Sequence, residues 1–130
     1  MTAPRFPDVQ KVLAAALAAL VGGPEHTGSE TPDDLQDRLP YIRVRRRGGP
    51  SDRFSDYASV EVDVFASRYD VAEPLAEAVR ELLTGTPITV GRAVIDRITC
   101  PNGPVERPWG PGVRRFGATY RVVSRRYAPS

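Results

Sequence analysis

The sequence predicts an α+β fold: a two-layer sandwich with a four-stranded sheet and two helices on one face, in the order α-β-β-α-β-β. Three observations carry this reading. Apolar residues recur at the three-and-four spacing of a helical face over residues 7–21 and again over 70–84. Strict alternation over residues 58–67 marks a strand with one buried face. Looser strand patterns precede that segment and close the chain, and helices over one face of a sheet are the economical packing for such an order.

The first helix places Val9, Val12, Leu13, Leu17, Leu20 and Val21 on one face. Pro7 suits a first helical position, Asp8 complements the dipole, and Gly22, Gly23 and Pro24 stop the helix. The polar stretch 22–40, with Asp33, Asp34 and Asp37, reads as a loop with one helical turn after Thr31. A strand over residues 39–46 sets Ile42 and Val44 on one face and Tyr41, Arg43 and Arg45 on the other. In the second strand Ala58, Val60, Val62, Val64 and Ala66 alternate with Ser59, Glu61, Asp63, Phe65 and Ser67, so the apolar set must lie on a core. These two strands should form an antiparallel hairpin across a long, turn-rich connection, residues 46–56.

The second helix presents Val71, Leu75, Val79, Leu82 and Leu83. Asp70 with Glu73 resembles a capping box, Pro74 falls in the first turn, and Gly85 is placed as a stop. A third strand near residues 93–100, a Pro- and Gly-rich loop over 101–112 and a fourth strand over 114–127 complete the order. At 3.3 Å per residue the fourth strand reaches about 43 Å against about 17–20 Å for a usual one, which leaves length for pairing outside its own subunit. The uncovered sheet face should carry Arg43, Arg45, Glu61, Asp63, Arg121 and Arg125, with opposite charges pairing across strands.

With 130 residues and 41% hydrophobic side chains, residues 1–130 are expected to form a single domain with a sizeable core. Thirteen Pro and eleven Gly point to long structured loops without reaching the level of a low-complexity chain. Eighteen basic against sixteen acidic residues leave a net charge of +2, which excludes strong nucleic-acid binding by charge alone. One Cys and one His exclude an internal disulfide and the common zinc sets. The longest apolar run, about ten residues, is too short to span a membrane, and its upstream flank is a poor signal sequence. The expectation is a soluble protein used without export, with no membrane partner.

The chemical inventory is thin. His26, in a Pro- and Gly-rich loop, reads as a solvated side chain. Residues 23–29 have the two-glycine spacing of a phosphate loop but put Ser29 where its Lys belongs and follow a helix, so that reading is rejected. Glu61 and Asp63 share a strand face roughly 6–7 Å apart, a separation open to acid–base work, yet an Arg-rich face favours salt bridges. Cys100, before Pro101, is a strand-end core residue or a half-exposed thiol, and without a second His or Cys a nucleophile role is not favoured. Trp109 is either a lid over the core or an interface anchor. The group Arg43, Arg45, Arg46, Arg47 and Arg53 is interleaved with carboxylates and few aromatics, which favours a charge-mixed protein interface over nucleic acid. No catalytic, cofactor or metal residues are assigned, and no cofactor is expected.

One pattern is more specific. Leu39-Pro40-Tyr41-Ile42-Arg43-Val44, a charged Gly-containing loop, then Val60-Glu61-Val62-Asp63-Val64-Phe65-Ala66 running into Leu75-Ala76-Glu77-Ala78-Val79-Arg80 resembles the tail terminator proteins of long-tailed bacteriophages. The ending agrees: Gly103-Pro104, Arg114-Arg115-Phe116 and Ala118-Thr119-Tyr120-Arg121-Val122 look like that family's last strand. The resemblance spans about residues 8–127.

It implies a non-enzymatic virion protein, assembled in the host cytoplasm, that forms a ring of six at the head-proximal end of the tail. Such a ring caps the tail tube, halts its polymerisation and meets a neck protein, with genome DNA passing through it without sequence-specific binding. The resemblance extends to neck stopper and tube proteins; a nucleic-acid-binding hairpin and a carboxylate-pair enzyme are the competing classes. Its expected assembly interface comprises Arg43, Arg45, Arg46, Arg47, Asp52, Arg53, Asp56, Trp109, Arg121 and Arg125. The loop over 46–56 is expected to dock on a neighbour or the tube, and replacing Arg46, Arg47 and Arg53 with Ser is expected to spare the fold.

Overall fold

Two twelve-residue strands, β3 (Ser55–Ala66) and β7 (Arg114–Arg125), pair antiparallel along their whole length and form the spine of the computed structural model. The structure describes residues 3–85 and 87–128; Met1, Thr2, Thr86, Pro129 and Ser130 lie outside the described residues. Helix α1 (Val9–Leu17) comes first, followed by β1 (Thr27–Gly28), β2 (Tyr41–Gly48), β3 and helix α2 (Tyr69–Gly85). After α2 come β4 (Ile88–Val90), β5 (Ala93–Thr99), β6 (Val105–Arg107) and β7. The strands make one seven-stranded sheet in the order β1-β2-β3-β7-β5-β4, with β6 also paired to β7.

The expected four-stranded two-layer sandwich is therefore corrected. The protein is mainly β, and β1 runs parallel to β2 while the other pairs are antiparallel, so the sheet is mixed. Helix α1 touches β1 and β2 near one edge and β4 at the other, so the sheet curls around it. The three unexpected strands, β1, β4 and β6, have two or three residues each, too few to print an alternating pattern.

The extra length of the last strand is consumed at home. One edge of β7 is taken by β3; the other is shared by β6 at residues 115–117 and by β5 at residues 121–124. The expected pairing of this strand with another subunit is thus corrected, because its long partner lies within the same chain. The β2–β3 hairpin is antiparallel as anticipated, with Ile42, Val44, Val60, Val62 and Val64 buried on the helix side.

Helix geometry differs in detail from the expectation. Asp8 is the N-cap of α1 and accepts from the Lys11 backbone N–H at 3.2 Å, which leaves Pro7 outside the helix. Helix α2 begins at Tyr69, so Pro74 lies inside it and removes the donor for the Asp70 carbonyl. Asp70 makes no capping box; its carboxylate is bound by Arg68 at 3.0 and 2.9 Å. The buried positions are Ala72, Ala76, Val79 and Leu83, with Val71 44% exposed. Small side chains let the helix approach Val62, Val64, Ala118 and Tyr120 closely. A second apolar cluster, Leu35, Tyr41, Phe65 and Val113, sits on the opposite face of the sheet.

Candidate functional site

The sheet face turned away from the helices has two unlike halves. At the end holding Phe65, the segments around Leu35 and Val113 close over it and bury charges. Arg43 stands directly across from Asp63 and donates to it at 2.8 Å, while Arg115 donates to the other carboxylate oxygen at 3.0 Å. Asp63 is 0% exposed and Arg43 5%, so the expectation of an uncovered face fails here. The pairing across strands is nevertheless the expected one. Burial pushes the Asp63 carboxyl up, but hydrogen bonds from Arg43 and Arg115 outweigh it and hold the group below its ordinary value.

One step along β3, Glu61 takes Arg45 at 3.1 Å and Arg107 at 3.4 Å, with Arg47 at 3.9 Å. Both carboxylates that could have formed an acid–base pair are thus engaged by guanidinium groups. Trp109 packs edge-on against Phe65 at 4.9 Å between ring centroids, with Arg43 and Arg115 over its ring. It covers the second cluster while staying 44% exposed. The lid reading therefore has a structural basis.

The hairpin tip also differs from the expectation. Arg46 and Asp56 lie in β2 and β3, not in a loop, and join in a two-pronged ion pair at 2.6 and 2.8 Å, with Asp56 1% exposed. The Arg46 backbone N–H is taken by Gln10 of α1 at 2.8 Å, which covers the sheet edge there. Only residues 49–54 connect the strands. Within them Asp52 accepts from the Phe54 and Ser55 backbone N–H groups at 2.8 and 2.7 Å, and these bonds lower its pKa. Arg43, Arg45, Arg46, Asp52 and Asp56 are thus held by contacts within the chain, which leaves Arg47 and Arg53 as the exposed basic residues of the hairpin.

The other half of the outer face is open. Two rows cross β3, β7 and β5: Tyr57, Val123 and Arg97 in one, and Ser59, Arg121 and Thr99 in the next. They line a concavity of about 350 Å³, with Gly49 and Pro50 as a wall. Gly49, at φ +118°, is required because a Cβ there would overlap the Tyr57 carbonyl, and the Tyr57 N–H is bound by the Pro50 carbonyl at 2.9 Å. Arg97 and Arg121 are exposed and have no ion pair among the described residues. Arg125, at the strand end, is bound by Asp96 at 3.0 and 2.8 Å.

Of this groove only Arg121 was anticipated. Strict alternation puts Arg97 on the same face as Ile95, but a register shift between them turns Arg97 outward and keeps both Ile95 and Ile98 in the core. The signal was present: two buried isoleucines three residues apart cannot share a face of an unbulged strand.

The remaining candidates are structural. His26 Nδ1 lies 2.7 Å from the Arg38 carbonyl oxygen, tying one loop to another. Cys100 donates to the Asn102 carbonyl at 2.9 Å, and burial pushes its thiol pKa up, which keeps it protonated and a poor nucleophile.

No curated protein sequence matches the chain. Among solved structures, a chain from a structure described as the virion of a native gene transfer agent particle is similar, with a TM-score of 0.65 at 19% identity, covering 90% of this chain and 94% of that one. At that identity the likeness concerns the fold. The family model for the phage tail termination protein matches residues 5–102, from the strand-like contact at Arg5 through β5, and so spans most of the sequence. The chain belongs to the phage tail termination proteins, structural components of the virion tail.

Proposed function

We propose that copies of this chain close into a ring of six at the head-proximal end of the tail, where the ring ends polymerisation of the tube and joins it to the neck. The family match over residues 5–102 carries this reading. The open groove supports it, since an exposed sheet face with arginines that have no ion pair among the described residues, and a half-buried apolar floor, has unused binding capacity. The protein acts by assembly and not by catalysis: Glu61 and Asp63 are occupied by arginines, and the Cys100 thiol is held protonated. Its partners are further copies of itself, the tube protein and a neck protein, and genome DNA crosses the ring without sequence readout.

The test is tube assembly. Tube protein polymerised with this chain should give tubes of defined length that carry a ring at one end in electron micrographs, and tubes made without it should overgrow. Equal overgrowth with the chain present would overturn the proposal.

A further inference from the structure

We infer that the groove of Arg97 and Arg121 receives the acidic segment 30–37 of a second copy, so that neighbours in the assembly meet head to tail. The inference rests on the ring reading and adds to it the two surfaces that touch. Both lie on the outer face of the sheet, at opposite ends of the strands. The acidic segment is anchored by Leu35 in the cluster with Tyr41 and Phe65, and the groove is floored by Tyr57 on the same strand, β3, as Phe65. Tyr57 and Phe65 lie eight positions apart along β3, about 26 Å.

Each surface carries charge that is unmatched among the described residues. Glu30, Asp33 and Asp37 are exposed and have no ion pair among the described residues, while Asp34 is bound to Arg38 at 2.9 Å. Arg97 and Arg121 are likewise exposed and unpaired among the described residues. Elsewhere on this face the carboxylates of Glu61, Asp63 and Asp96 are each bound by at least one arginine. Against that pattern the two unmatched patches are complementary in sign and comparable in charge.

Shape agrees with a protein occupant. Tyr57 and Val123 form an apolar strip that ends at Arg97 in one row, and Ser59 and Thr99 offer hydroxyls on either side of Arg121 in the next. A phosphate backbone would leave that strip uncovered. A short acidic segment with Pro32 and the half-buried Thr31 can lay both carboxylates and carbon surface on it. Because donor and acceptor surfaces are different patches of one chain, the contact is heterologous, and it closes into a ring if the rotation between copies closes.

Charge exchange tests this directly. One variant carries Arg97→Glu and Arg121→Glu; the other carries Asp33→Lys and Asp37→Lys. Each alone should keep the wild-type melting temperature, since the four side chains make no hydrogen bond or ion pair among the described residues, and each should self-associate at least tenfold more weakly in sedimentation velocity. Mixed in equal amounts, the two should recover assembly, because every groove then faces a segment of opposite charge. Should a charge-reversed chain fail to fold, Arg97→Gln with Arg121→Gln and Asp33→Asn with Asp37→Asn give the weakening arm at lower charge.

Rings or tail caps that form normally from either variant would overturn the inference and leave the ring reading standing. Variants that are weakened but not recovered by mixing would also overturn it. A wild-type chain that stays monomeric even with tube protein would bring down both readings. Tight, salt-sensitive binding of a short DNA duplex by wild type, lost with Arg97→Glu and Arg121→Glu while self-association is unchanged, would reassign the groove to nucleic acid.

Discussion

Gly117 stands directly across the β3–β7 ladder from Asp63, and a Cβ at Gly117 would overlap the Asp63 Oδ1. That oxygen is the one bound by Arg115, and the other is bound by Arg43. Absence of a side chain on β7 therefore makes room for a carboxylate on β3, and the carboxylate in turn ties together arginines from two strands. A polar layer is thereby built under the loops on the face opposite the core.

Gly117→Ala should destabilise the protein by about 1–3 kcal/mol, the usual cost of overpacking, because the clamped Asp63 cannot swing away without losing an arginine. Urea denaturation of Gly117→Ala, Asp63→Ala and the double variant measures the link. The double variant should be less destabilised than the sum by about 0.5 kcal/mol or more. Strict additivity would show that the two positions do not interact.

Acid should remove the Asp63 contribution in a defined window. Its folded pKa is lowered, so its stabilisation is fully present above the unfolded Asp value of about 3.9 and is lost as pH falls through the folded value. The stability gap between wild type and Asp63→Asn should hold from pH 7 to about pH 5 and narrow below about pH 4. A gap that does not change down to pH 2 would argue against a paired carboxylate at this position.

Arg46 should behave unlike its neighbours. Arg46→Ser leaves Asp56 buried without its partner, at a cost toward the lower end of about 3–5 kcal/mol because Arg46 itself is partly exposed. Arg47→Ser and Arg53→Ser, at exposed positions, should each stay within about 0.5 kcal/mol of wild type. The expectation that all three could be replaced without harm to the fold is thereby revised. Thermal melts of the three single variants separate the cases.

Val62→Asp should strongly destabilise the protein. Val62 is 3% exposed on the helix side of β3, and an unpaired carboxylate there costs several kcal/mol out of the about 5–15 kcal/mol a domain possesses. Soluble Val62→Asp protein with a normal melt would mean that the buried face of β3 is misassigned.

The sequence by itself determined the elements whose pattern is long: both helices, β3 with its buried valines, the antiparallel partner β2, and the last strand. It also placed Arg43, Arg45, Glu61 and Asp63 on one face where opposite charges can pair, because residues two apart along a strand share a face. The motif order that resembles tail terminators was legible for the same reason, since it rides on those elements.

Only the tertiary structure decided how many strands there are, what covers each face and which arginines are free. Strands β1, β4 and β6 exist because longer neighbours offer them hydrogen bonds, a cause that lies outside their own two or three residues. Arg43 and Arg121 look alike as outward-facing strand residues, yet one is buried under Trp109 and the other lies in an open groove. Arg97 faces that groove because of a bulge, and Arg46 is tied into the fold because Asp56, ten residues away, folds back onto it. Local periodicity records which side of a strand a residue occupies. What arrives on that side is set by segments distant in sequence, and that arrival separates a structural charge from one available to a partner.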